Sequence, residues 1–122
     1  MTILLVDDAE DCIATLEIAL QILPGVTLRV AQSAEEALAL LERETISAMI
    51  TDLQLPGMNG FELIGRVRGE PRFRTIPILA VSAVADPSAP QAALDSGANA
   101  FFRKPFSPGA VRRKLEELIH AM

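Results

Sequence analysis

Two kinds of hydrophobic pattern alternate along the chain. Continuous apolar runs at Ile3–Val6, Ala48–Ile50 and Ile78–Val81 read as strands buried on both faces. Each gives way to polar residues: Asp7 and Asp8, then Thr51 and Asp52, then Ser82. Between the runs, apolar positions recur at helical spacing. From Ala9 to Leu23 these are Ile13, Leu16, Leu20 and Leu23, and Pro24-Gly25 stops the helix. Thr27–Ala31 alternates polar and apolar side chains instead, which predicts a half-exposed strand at a sheet edge.

Local stop and start signals place the other elements. Ser33-Ala34-Glu35-Glu36 is a capping box opening a second helix through Leu41. Asn59, with Glu62 as its partner, opens a third helix to about Arg68, with Phe61, Ile64 and Val67 facing in and Gly69 ending it. Pro90 is tolerated only in a first turn, so the fourth helix should start at about Ala89 with Ser88 as N-cap, and Gly97 should close it. Ala100–Arg103 is a short last strand before Lys104-Pro105. Ser107-Pro108 caps a final helix, with Phe106 and Val111 as a hydrophobic staple and Val111, Leu115, Leu118 and Ile119 inside. Five strand–helix alternations predict a doubly wound five-stranded parallel sheet with helices on both faces. The edge-like second strand selects the order 2-1-3-4-5, a flavodoxin-like (βα)5 fold.

Composition narrows the function. A chain of 122 residues, 50% hydrophobic, builds one domain with a real core. Its net charge of −5 disfavours a nucleic-acid or anionic-membrane surface. The single Cys12 precludes an intrachain disulfide and suggests a reducing compartment. With no signal peptide and no apolar stretch long enough to span a bilayer, the expected location is the cytoplasm.

In the 2-1-3-4-5 order, the carboxyl ends of the first, third, fourth and fifth strands are neighbours. Asp7, Asp8 and Asp52 therefore crowd together, with Ser82 and Lys104 beside them. Three carboxylates repel unless a cation sits among them, and an all-oxygen donor set selects a hard ion such as Mg²⁺. A hydrated Mg²⁺ beside a carboxylate, an ammonium and a hydroxyl is a phosphoryl-transfer site with Asp52 as nucleophile. Taken singly, an Asp after a strand is most often a helix N-cap, Ser82 a turn residue and Lys104 solvated charge. Their joint placement at adjacent strand ends is what those readings do not predict.

These residues resemble the receiver domain of bacterial two-component response regulators over essentially the whole chain. The matching motifs are Asp7-Asp8, the stretch Asp52-Leu53-Gln54-Leu55-Pro56-Gly57-Met58-Asn59-Gly60, Ser82-Ala83 and Lys104-Pro105-Phe106. The resemblance implies a regulatory domain, not an enzyme acting on a separate substrate. It implies a switch that accepts a phosphoryl group onto Asp52 from a sensor histidine kinase or phosphotransfer protein. Asp8, Asp52 and the backbone carbonyl of Gln54 would bind Mg²⁺ directly, and Asp7 mostly through water. Lys104 would grip the phosphate, with a cis bond to Pro105. Ser82 and Phe101 would be the switch residues, and Gln54 and Val84, two after Asp52 and Ser82, would tune phosphate lifetime. The helix-4, strand-5, helix-5 face would report the change to a downstream protein, with no direct contact to nucleic acid or membrane. Residues 1–122 read as a single receiver domain, monomeric or weakly dimeric, with no output domain. Two departures stand out. Phe101 lacks the hydroxyl of the Tyr often found there, and Pro87 and Pro90 stiffen a loop the family moves.

Other readings remain to be weighed. A Mg²⁺-dependent phosphohydrolase with an aspartyl nucleophile usually has a second acid two residues later, where this chain has Gln54. An FMN binder would have a first loop rich in Ser, Thr and Gly, and Asp7-Asp8 would repel phosphate. His120 reads as a cation on a last helical turn, and Cys12 as a small core residue. Arg72 and Arg74 read as solvated charge around a packed Phe73.

Overall fold

The computed structural model describes residues 1–121, and the elements below lie within them. Strands β1 (Thr2–Val6), β2 (Thr27–Ala31), β3 (Ala48–Asp52), β4 (Ile78–Ser82) and β5 (Ala100–Arg103) alternate with helices α1 (Glu10–Leu20), α2 (Ala34–Arg43), α3 (Gly60–Gly69), α4 (Ala89–Ser96) and α5 (Pro108–His120). All strand pairs are parallel, in the order β2-β1-β3-β4-β5. This is the doubly wound sheet the sequence predicts.

The two-residue period of a strand divides the core into layers. Leu4, Val6, Met49 and Ala80 face one side with Leu41, Leu63, Ile64 and Val67 from α2 and α3. Ile3, Leu5, Ile50 and Val81 face the other with Leu16 and Leu20 of α1 and Val111 and Leu115 of α5. Central β3 and β4 are buried throughout, whereas β2 alternates exposed and half-buried positions until Ala31, as an edge strand must. No described helix is long and apolar enough to cross a membrane.

Several local expectations need correction. Helix α1 ends at Leu20, not Leu23; the chain turns, with Leu23 N–H donating to Leu20 O, because Pro24 disfavours helix in the residue before it. Helix α2 runs on to Arg43. Its box is half formed: Ser33 Oγ accepts from Glu36 N–H, but the Glu36 carboxylate accepts from Gln32 N–H, one residue too early. Asn59 does cap α3, accepting from Glu62 N–H, but the Glu62 side chain pairs with Arg66. The buried stripe of α3 is Gly60, Leu63, Ile64 and Val67, leaving Phe61 at its margin, half-buried. Helix α4 begins at Ala89 with Pro90 in its first turn, yet the Ser88 hydroxyl makes no cap. Ser88 donates instead, through N–H and hydroxyl, to Asp86 Oδ1. Between α3 and β4 a single 3-10 turn at Pro71–Phe73 buries Phe73 under the Arg72 guanidinium.

Candidate functional site at the carboxyl edge of the sheet

The strand ends converge as predicted. Asp52 is the last residue of β3 and only 5% exposed, because β1 and β4 flank it on both sides. Its Oδ1 accepts from Gln54 N–H at 3.1 Å and its Oδ2 from Lys104 Nζ at 3.0 Å. Asp7 follows β1 and is equally buried; its Oδ1 accepts from Ala9 N–H at 2.9 Å and its Oδ2 from Lys104 Nζ at 2.9 Å. Asp8 is exposed. One carboxylate oxygen from each of Asp7, Asp8 and Asp52 lies within 4.8 Å of the others. Lys104 is delivered by the backbone: its N–H donates to Ser82 O at 2.8 Å, prolonging the β4–β5 ladder by one residue. The Lys104–Pro105 bond is cis, as the resemblance implies.

Ser82 ends β4 fully buried, and its Oγ accepts from Val84 N–H at 3.0 Å. Gln54 is exposed and Val84 half-buried, each on the loop following its strand. Phe101 is half-buried against the α2–α3 layer, beneath the guanidinium of Arg103.

The electrostatics are set by burial. Desolvation pushes the Asp52 carboxyl up; Gln54 N–H and Lys104 pull it down, Asp7 adds to the rise, and the net direction is up. Burial alone would lower the Lys104 ammonium, but bonds to Asp7 and Asp52 outweigh it and hold Lys104 above its usual range. One ammonium thus faces three carboxylates that offer only oxygen donors. That set fits a hard divalent cation, which would supply the charge still missing.

Four contributors were not legible in the sequence. The buried Thr51 hydroxyl donates to the Asp52 carbonyl. Gly60 N–H donates to Leu53 O, and a Cβ on Gly60 would fall 2.3 Å from the Asp52 carbonyl oxygen. Cys12 lines a cleft of about 440 Å³ beside Lys104, Pro105 and Phe106. Its thiol is pushed up to about 12, first by burial and then by Asp7, so it stays protonated and unreactive at neutral pH. Arg103 donates to the Val84 carbonyl.

Comparison with known proteins agrees with this geometry. Residues 3–116 match the family described as the response regulator receiver domain. An uncharacterized 14.6 kDa protein of Leptolyngbya boryana is 43% identical, across 96% of this chain and 88% of its own. The chemotaxis protein CheY homolog of Campylobacter jejuni is 32% identical, across 98% of this chain and 92% of its own. The structure of the chemotaxis response regulator CheY4 of Vibrio cholerae superposes with a TM-score of 0.85 at 28% identity, covering 96% of this chain and 97% of that one. The chain belongs to the response regulator receiver domain family of two-component signalling proteins.

Proposed function

We propose that this receiver is a phospho-acceptor switch in which Asp52 takes a phosphoryl group from a phosphohistidine of a sensor histidine kinase or phosphotransfer protein. The observation that carries the reading is the Asp52 carboxylate itself. It is buried at a strand end, held by Gln54 N–H and Lys104 Nζ, with oxygens of Asp7 and Asp8 within 4.8 Å.

An Asp52 oxygen attacks phosphorus; a P–O bond forms as the donor's P–N bond breaks, and the imidazole leaves with the electron pair. Gln54 N–H fixes the carboxylate rotamer, so the attacking oxygen is positioned before the donor arrives. Lys104, already on Asp52 Oδ2, is placed to transfer its hydrogen bond to a phosphoryl oxygen. Ser82, at the neighbouring strand end, donates its hydroxyl to another. Asp8, Asp52 and the Gln54 carbonyl would hold Mg²⁺, with Asp7 joined mostly through water. When bound, that ion would neutralise charge on the phosphoryl oxygens. The new bonds to Ser82 and Lys104 pull on β4 and β5, moving Phe101 and the α4–β5–α5 face that a downstream protein reads.

Incubation with acetyl phosphate and Mg²⁺, followed by mass spectrometry, tests this. Wild type should gain one phosphoryl group and Asp52→Asn none. Equal labelling of the variant at a neighbouring acid would overturn the assignment of Asp52.

A further inference from the structure

Arg103 ends β5 on the exposed surface, where an arginine is ordinarily solvated charge worth little. This one is held at two points. Its guanidinium donates to the Val84 carbonyl in the β4–α4 loop, and its central carbon lies 5.4 Å from the Phe101 ring centroid. Its charge also reaches Asp86 on the same loop. The Asp86 carboxyl is held below its usual range first by the Ser88 N–H, then by the Ser88 hydroxyl, and in smaller part by Arg103.

Val84 is thereby clamped from both sides. Its carbonyl accepts from Arg103, and its N–H donates to Ser82 Oγ at 3.0 Å. A swing of Ser82 Oγ toward a group on Asp52 must either carry Val84 with it or break that bond. Where Val84 is carried along, the loop must yield, and Arg103 resists. The same guanidinium lies over the Phe101 ring at cation–π distance, so one side chain ties the loop to the half-buried aromatic. A lysine ammonium is a single point charge and cannot serve the carbonyl and the ring face together.

We propose that Arg103 is a latch: it holds the β4–α4 loop and the Phe101 ring in the present arrangement, and phosphorylation of Asp52 must release it. The coupling half rests on the phospho-acceptor reading; the latch half is a property of the unphosphorylated chain. Arg103 touches no reacting atom and is a positioning residue.

Amide hydrogen exchange and beryllofluoride binding, a phosphoryl mimic added with Mg²⁺, test the halves separately. In Arg103→Ala, Val84 N–H should exchange about fivefold faster, and beryllofluoride should bind about fivefold tighter, since one fewer restraint must break. Arg103→Lys should recover most of the Val84 protection while leaving the Phe101 ring resonances shifted as in the alanine variant. Unchanged Val84 exchange in Arg103→Ala overturns the latch. Faster exchange with unchanged or weaker beryllofluoride affinity overturns its coupling to phosphorylation. A wild type that binds no beryllofluoride overturns the acceptor reading and the coupling with it, leaving the latch to stand or fall on the exchange data.

Discussion

Lys104 Nζ lies 3.0 Å from Asp52 Oδ2, joining the ends of β5 and β3 across the intervening β4. The bond stabilises the charged form of Asp52 only in part, since burial still leaves that carboxyl above its usual 3.8. The sign of the stability effect follows. A carboxyl raised in the folded state favours folding when protonated. The fold is therefore most stable, in this respect, below the unfolded value, and loses that stability as pH rises toward the folded value. Asp52→Asn removes the penalty while keeping the size of the side chain. It should match wild type at low pH, gain on it above about pH 4, and be the more stable of the two at pH 7 without metal. Urea midpoints across pH in chelator measure this. Equal midpoints at pH 7 would mean that Lys104 offsets the burial completely.

Much of this was legible in the sequence because the signals were local. Continuous apolar runs marked the buried strands, alternation marked β2 as an edge, and the strand order followed. That order alone brought Asp7, Asp8, Asp52, Ser82 and Lys104 to one edge. What escaped depends on contacts that no spacing encodes. Ser88 was expected to cap α4, but Asp86 two residues earlier competes for its N–H and hydroxyl. Phe61 and Leu63 are both compatible with an inner face of α3, and in the fold Gly60 packs against the β3 end with Leu63 buried on the same face. Arg103 reads as surface charge until the fold puts Val84 within its reach.

Gly60→Ala should damage the site from behind. The added Cβ would fall 2.3 Å from Asp52 O and 2.6 Å from Leu53 Cα, both backbone atoms that can move only by shifting the strand end. A loss of about 1–3 kcal/mol is expected, as for other overpacked positions. A displacement near 1 Å at Asp52 could slow phosphorylation by about a hundredfold. Gly65→Ala, on the same helix with open space around it, is the control and should be neutral or stabilising by about 0.5–1 kcal/mol. Melting temperature and acetyl phosphate labelling of the two variants decide. Similar behaviour of both would show that Gly60 is not wedged against Asp52.

Mg²⁺ should stabilise the folded chain, because only the folded chain gathers Asp7, Asp8 and Asp52 within 4.8 Å. At a hundred times its dissociation constant a ligand specific for the folded state adds about 2.7 kcal/mol. Asp8 is exposed, so Asp8→Ala should leave the metal-free fold nearly unchanged and remove most of the Mg²⁺ response. Thermal melts with Mg²⁺ and with chelator measure both. The same Mg²⁺ shift in both proteins would take Asp8 out of the metal site.

Phosphate lifetime should depend on Val84. An aspartyl phosphate on Asp52 is lost when water attacks phosphorus from the side away from the carboxylate. Under the proposed reading, the side chains of Gln54 and Val84 border that water. Gln54 is exposed and carries an amide that can orient a water by hydrogen bonding. Val84 is half-buried and offers neither donor nor acceptor, so it can only shield. Val84→Glu and Val84→Asn should each speed phosphate loss, by up to about tenfold. That corresponds to about 1.4 kcal/mol of barrier, within the reach of one well-placed hydrogen bond to the attacking water. Decay of labelled protein after removal of the donor, at fixed Mg²⁺ and pH, gives the rate. If both variants decay at the wild-type rate or more slowly, Val84 does not border the attacking water and the lifetime is set elsewhere.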